Sequence, residues 1–318
     1  MCTAISFHAE HHYFGRTLDY EHSFGEEVVL TPRNFPLPYR QLPTVERHHA
    51  ILGMAHVEDG YPLYYDAMND HGLAMAGLNF TRFAHYEKEH GNAIAPHELI
   101  PWVLGRCRNA AEARSLLSHT SIAQMDFSPT LPAARLHWLI ADHEDCFVLE
   151  PLERGLRIYD NPTGVLTNDP PFDDQMLQLS NFMHLSPEPP ENRFAPGLDL
   201  QPYSRGMGGM GLPGDLSSQS RFVRAAFTSL NATRENGLSQ FFHILGTVAQ
   251  VKGCCRLEDG KQEHTLYTSC CDTTKGIYHY TTWQNRRISA VDMHREDLEG
   301  KALVRFPISD GEDVKFQN

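Results

Sequence analysis

The chain has 318 residues, with 27 lysines and arginines against 40 aspartates and glutamates, for a formal charge of -13. An acidic surface of this kind excludes a nucleic-acid binder, which needs basic groups to neutralise phosphates. A fold of this length buries roughly 75% of its unfolded surface and needs no disulfide or metal for stability, while no run approaches the roughly eighteen apolar residues of a membrane helix, so no membrane insertion is expected.

The opening stretch, 1–24, lacks the basic and continuously apolar regions of a signal peptide and carries Glu10, Asp19 and Glu21. It predicts a cytoplasmic protein. Short apolar runs at 3–7, 12–17, 28–32 and 73–80, bounded by Gly, Pro, Asp and Asn, read as strands. A helix is predicted to open at Pro96 and run towards Arg106, and another over 110–119 behind a capping Asn109. Runs at 135–141 and 146–150 flank the polar cluster Asp142-His143-Glu144-Asp145 and predict a hairpin, continued by 156–159 and 164–166. The segment 186–215 is rich in Pro and Gly and reads as irregular, either a domain linker or a long loop over a pocket. Helices are expected over 217–234 and 239–251, then strands at 265–269, 277–283, 288–293 and 302–308. Strand groups separated by paired helices, without repeated β-helix-β units, argue for an α+β layered fold with mainly antiparallel sheet.

The seven cysteines, Cys2, Cys107, Cys146, Cys254, Cys255, Cys270 and Cys271, are odd in number and form no C-x-x-C pair. They fit a reduced compartment better than a disulfide framework. The nineteen histidines show no H-E-x-x-H, so their linear spacing gives no zinc site, and a metal-dependent amidase finds no support in it.

Cys2 is the most informative position. A small residue after the initiator methionine normally allows removal of that methionine, leaving a thiol and an α-amine on one residue. An α-amine titrates near 8 and a free thiol near 8.5, so such a thiol is only about 1% ionised at pH 6.5 and needs neighbouring cations. The strand opening at Cys2 and the run Phe14-Gly15-Arg16-Thr17-Leu18-Asp19-Tyr20 place Arg16 and Asp19 within reach as adjacent strands. The plainer alternatives are a frayed terminus for Cys2 and a surface ion pair for Arg16 and Asp19, worth under about 1 kcal/mol.

The motifs Met1-Cys2-Thr3-Ala4-Ile5, Tyr13-Phe14-Gly15-Arg16-Thr17-Leu18-Asp19-Tyr20, Thr31-Pro32-Arg33-Asn34, Gly77-Leu78-Asn79-Phe80, Leu136-His137-Trp138, Val165-Leu166-Thr167-Asn168, and Gly211-Leu212-Pro213-Gly214-Asp215 with Ser220-Arg221-Phe222 stand in order along the chain, within a similarity that extends from Cys2 to about Met293. Together they resemble the choloylglycine hydrolase family. The resemblance implies an N-terminal nucleophile hydrolase with a four-layer αββα sandwich, one domain over 1–318 with a mature chain starting at Cys2, and no cofactor. It makes 186–215 a loop. It assigns Cys2 as nucleophile, Arg16 and Asp19 as its immediate partners, and Asn79, Asn168 and Arg221 as the remaining polar site. In that scheme Asp19 orients the amine, Arg16 favours thiolate, Asn79 and Asn168 donate to the oxyanion, and Arg221 organises the network. On its local sequence alone Asn168 reads as a turn residue ahead of Asp169-Pro170 rather than as a site residue.

Family members divide mainly between conjugated bile salt hydrolases and penicillin V acylases, and Asn79, where the acylase branch tends to carry Tyr, favours glycine- or taurine-conjugated bile salts. A steroid needs a largely apolar cavity, for which Leu18, Tyr65, Met125, Phe127, Met207 and Met210 are candidate linings. A bile-acid-binding protein without catalysis would use the same cavity. The resemblance also implies a homotetramer, with 186–197 as assembly loop.

Overall fold

The computed structural model describes residues 1–309 and 311–318. The first eighty residues form six strands: β1 (Cys2–His8), β2 (His12–Tyr20), β3 (Glu27–Thr31), β4 (Ile51–Glu58), β5 (Tyr61–Asn69) and β6 (Ala74–Asn79). A 3-10 turn at Pro96–Glu98 leads into helix α1 (Leu99–Arg106), and α2 (Ala110–Leu117) starts where the Asn109 side chain accepts the Glu112 amide at 2.9 Å. The expected hairpin is β7 (Leu136–Ala141) with β8 (Cys146–Leu152), followed by β9 (Gly155–Asp160) and the short β10 (Val165–Leu166). Helix α3 (Phe172–Gln178) precedes the long irregular segment, and α4 (Ser218–Asn231) and α5 (Gly237–Gly246) follow it. The chain then adds β11 (Cys255–Arg256), β12 (Gln262–Asp272), β13 (Ile277–Thr282), β14 (Ser289–Asp292) and β15 (Val304–Pro307).

These strands make two antiparallel sheets, one ordered β10-β1-β2-β12-β13-β14 with β11 on β12, the other β15-β3-β4-β5-β6-β7-β8-β9. Alternation along each strand sends side chains to both faces. Leu52 and Met54 of β4, with Ala74, Ala76 and Leu78 of β6, pack between the sheets against Ala4 and Phe14. Ile51, Ala55 and Met75, on the other face, meet α1 and α2 through Leu99, Val103 and Ala113. Phe222 and Ala226 of α4 and Phe241 and Leu245 of α5 cover the outer face of the first sheet. The layers are therefore αββα, as expected.

Between 179 and 216 regular structure is confined to 3-10 turns, including Met207–Gly209, in agreement with the irregular segment read from its Pro and Gly content. Helix α5 stops at Gly246 rather than running to 251, because Thr247 turns both its amide (3.1 Å) and its hydroxyl (2.7 Å) onto the Ile244 carbonyl. Strands β4 and β5 carry weak local signals: His56 and Glu58 interrupt the first and Pro62 the second. Among the described residues no helix is long and apolar enough to cross a membrane.

Candidate active site

Cys2 begins β1 and is buried, facing Leu18 across the ladder to β2, with Arg16 two residues further along the same partner strand. β2 approaches β12 so closely at Gly15 that a Cβ there would overlap the Ser269 carbonyl oxygen. That contact fixes the strand on which Arg16, Leu18 and Asp19 are carried. Met1 prolongs the ladder, its amine donating to the Asp19 carbonyl at 2.8 Å while the Asp19 amide donates to the Met1 carbonyl at 2.9 Å. The same amine meets the Glu263 carboxylate. Burial pulls that amine below its ordinary value, against the opposing charges of Cys2 and Asp19.

Asn168 is the hub. Its Oδ1 accepts the Cys2 amide at 2.8 Å and an Arg221 Nη2–H at 2.7 Å, and its Nδ2 donates to the Asn79 carbonyl at 2.8 Å. Two donors on one side and a carbonyl on the other fix which amide atom is oxygen. Asn168 is itself gripped from behind: its amide donates to Ser218 Oγ at 2.8 Å, and Gln175 Nε2 donates to its carbonyl at 2.6 Å. Arg221, fully buried on α4, also donates to the Cys2 carbonyl, to Thr3 Oγ1 at 2.6 Å and to the Leu216 carbonyl at 3.0 Å.

Arg16 is buried and donates to the carbonyls of Gly77 and Tyr65, the latter at 3.3 Å. Burial alone would weaken its charge, but Cys2, Tyr267, Asp66 and Asp19 outweigh that and hold its pKa above the ordinary value. Asp66 lies beneath it, accepting from Tyr267 and Tyr278 at 2.8 and 2.7 Å. Asp19 is buried with its carboxylate accepting from Thr265 (2.6 Å), Gln250 (3.1 Å) and Thr17 (3.3 Å), while the Cys2 nitrogen goes to Asn168 instead.

Cys2, Arg16 and Asn79 all open on one cavity of about 600 Å³. Leu18, Tyr65 and Phe127 line it, together with Tyr20, Leu63, Ile100 and Leu131, which sequence reasoning did not single out. Met125, Met207 and Met210 do not line it. Met125 packs into a small core with Ala93, Ala95 and Ala123. The segment carrying Met207 and Met210 folds back on its own loop, with the Ser186 amide donating to the Gly208 carbonyl at 3.0 Å, and leaves Met210 58% exposed.

A buried pair behind the site escaped sequence reasoning. His137 of β7 faces Glu150 Oε1 at 3.0 Å through Nδ1 and the Thr167 carbonyl at 2.9 Å through Nε2. Its ring stacks on Phe80 at 4.3 Å between centroids. Inside an apolar run it reads as core; only pairing with Glu150 marks it out.

The family model for linear amide C–N hydrolases, choloylglycine hydrolase family, matches residues 2–306. The chain belongs to the choloylglycine hydrolase family. It is accordingly a hydrolase of linear carbon–nitrogen amide bonds. It is 49% identical over 314 residues to the bile salt hydrolase/transferase of Lactiplantibacillus plantarum, covering 97% of each chain. It is 36% identical over 318 residues to the bile salt hydrolase/transferase of Clostridium perfringens, covering 96% of each. A crystal structure of a mutant conjugated bile acid hydrolase from Clostridium perfringens superposes with a TM-score of 0.94 at 34% identity, over 100% of both chains. Penicillin V acylase from Agrobacterium tumefaciens shares the fold at a TM-score of 0.77 and 19% identity, over 96% of this chain and 91% of that one.

Proposed function

We propose that this choloylglycine hydrolase cleaves the amide bond of glycine- or taurine-conjugated bile salts, acting as one unit over its whole length once Met1 has been removed. The observation that carries this reading is the shared opening of Cys2, Arg16 and Asn79 on a cavity walled mainly by apolar and aromatic residues, among them Leu18, Leu63, Tyr65, Ile100 and Phe127. Such a wall suits a steroid, and the thiol lies where its acyl carbonyl would end.

Removal of Met1 turns the Cys2 nitrogen from a peptide amide into an α-amine, at a place where Asn168 Oδ1 already accepts from it. The thiol proton passes to that amine and the sulfur attacks the amide carbonyl carbon. The Asn79 side chain, on the cavity wall, donates to the developing oxyanion. The ammonium returns its proton to the amide nitrogen, the carbon–nitrogen bond breaks, and glycine or taurine leaves. Water then cleaves the thioester, releasing the bile acid and restoring the thiol. Arg16, close to Cys2 and unable to deprotonate, favours the thiolate throughout.

The reading extends to a cytoplasmic homotetramer. Support for assembly comes from the loop after α3, which presents Phe194 and Tyr203 at 80% and 83% exposure beside Leu198 and Leu200. Large apolar side chains left this exposed within one segment favour a contact between chains.

The deciding experiment incubates the protein with glycocholate, taurocholate and penicillin V, measures each released product, and records the intact mass of the active form. Bile salt cleavage by a chain starting at Cys2 is expected. Unchanged bile salts despite binding would make this a binding protein, preferential cleavage of penicillin V would shift the substrate class, and full activity with methionine attached would remove the amine from the mechanism.

A further inference from the structure

At the opposite end of β6 from Asn79 lies a second cluster of chemical groups. Asp70 and His71 occupy the turn between β5 and β6, held by the Asn69 side chain, whose Oδ1 accepts the His71 and Leu73 amides at 3.1 Å each. Gly72 closes this turn at a φ of 88°, a conformation open to glycine at little cost. His49 comes from the segment leading into β4, with its amide on the Gly105 carbonyl at 3.0 Å. The Asp70 amide donates to the neighbouring Ala50 carbonyl at 3.1 Å, which locks the two segments together.

The donor atoms converge. One ligand atom from each of His49, Asp70 and His71 lies within 4.8 Å of the others, and His49 Nδ1 is 3.9 Å from Asp70 Oδ1. The two imidazoles meet edge to face with centroids 4.4 Å apart. The Asp70 side chain is only 3% exposed, and its oxygens are treated unequally. Oδ2 takes Arg33 Nε at 2.8 Å and Nη2 at 2.6 Å, whereas Oδ1 is buried with no hydrogen-bond partner among the described residues. A buried carboxylate oxygen without a donor is an exception that calls for a missing partner. A hydrogen-bond donor on one oxygen is also what orients a carboxylate whose other oxygen binds a metal.

We propose that His49, Asp70 and His71 form a site for a divalent transition-metal ion of the zinc class. Two imidazole nitrogens and one carboxylate oxygen are a donor set for such an ion, and bond lengths near 2.0–2.1 Å place tetrahedral ligands about 3.4 Å apart, so the cluster closes by roughly an ångström on binding. Exposed His71 provides the entry path, and three protein donors leave the fourth position to solvent. Ala74 to Asn79 is an extended strand, about 17 Å long at the usual rise per residue. The ion therefore acts away from the amide chemistry, tying the end of β3, through Arg33, to the entry of β4 and the β5–β6 turn.

The test uses untagged protein carrying Cys2→Ala, which removes the competing active-site thiol. Zinc chloride titrated calorimetrically is expected to show one tight site per chain and to raise the melting temperature. Cobalt in its place should give visible d–d absorption. His49→Ala and His71→Asn should each weaken zinc binding at least about tenfold. His71 is exposed, so its variant remains folded even where the His49 variant does not. Absence of saturable zinc binding in the micromolar range overturns the proposal, as does a zinc site whose affinity survives His71→Asn, which would place the ion elsewhere, such as among His8, His11, His12 and His143.

Discussion

Asn168 shows how one side chain can fix a reaction centre without being the group that reacts. Its oxygen accepts from Cys2 and Arg221, and one of its amide protons is committed to the Asn79 carbonyl. Asn79, by contrast, itself lines the cavity on which Cys2 opens. The two asparagines, given one role by family resemblance, are thus expected to fail differently. Under the proposed mechanism Asn79→Ala removes the oxyanion donor, and kcat should fall about 10²- to 10³-fold with the melting temperature nearly unchanged. Asn168→Ala also leaves a buried guanidinium and a buried nitrogen short of an acceptor, so it should lower both kcat and the melting temperature. Cys2→Ala should abolish turnover and keep the fold. Steady-state kinetics alongside thermal melts check all three, and an Asn79→Ala enzyme with wild-type kcat would remove that residue from the oxyanion.

At the scale of elements, the difficulty is that β10 is only two residues long, yet the chain just beyond it carries Asn168. A strand of that length cannot position a side chain by ladder hydrogen bonds alone. The neighbouring β7 and β8 supply the rest: the His137 ring, paired with Glu150, reaches the Thr167 carbonyl, and Glu150 also accepts the Phe172 amide at 3.0 Å where α3 begins. The same ring stacks on Phe80, next to Asn79, so one pair braces both asparagine-bearing segments. His137→Gln is expected to cost about 1–3 kcal/mol of stability, the usual consequence of leaving a buried polar group short of a hydrogen-bond partner. Its kcat should fall with KM little changed, because the cavity wall is untouched. An enzyme with unaltered kcat would reduce the pair to a purely structural role. Elements were legible in the sequence where a local signal was strong, as with the Asn109 cap of α2 and the turn cluster between β7 and β8. The Pro62 of β5 and the polar residues of β4 hid a central hairpin, because burial of these strands depends on the sheet around them and not on their own composition.

The whole molecule responds to acid through histidines that it keeps neutral. Burial, aided by His8 and His143, holds the His12 imidazole down at about 3, where it contacts Ser6 and Thr273 at 2.9 and 2.8 Å. Burial and then Arg40 hold His97 at about 4, with Asp126 opposing. Both lie below the unfolded value near 6.5, so between roughly pH 4 and 6.5 the unfolded chain binds more protons than the folded one. Their stabilisation is complete above that window and is lost as the pH falls through it. Melts from pH 4 to 8 should show a plateau above about 7 and a declining midpoint below 6.5, with part of the decline removed by His97→Asn. A midpoint that rises on acidification would contradict the burial of these rings. Asp215, held at about 2 by Ser217 and Ser220, adds its own loss only at lower pH.

The amino-acid sequence by itself determined the kind of chemistry and the class of fold. A cysteine next to Met1, the Arg16 and Asp19 strand beside it, and motifs in family order are all local or ordered along the chain. Which groups meet was decided only by tertiary structure. Cys2 and Asn168 are 166 positions apart and Arg221 lies 219 beyond Cys2, and strand pairing rather than spacing brings them together. The same holds for the cavity, where Leu18, Tyr65 and Phe127 are lining but Met125, Met207 and Met210 are not. It holds again for His49 with Asp70 and His71, whose linear spacing matches no metal motif. Apolar character and residue type are carried by each residue alone, whereas direction and distance arise only when the sheets stack.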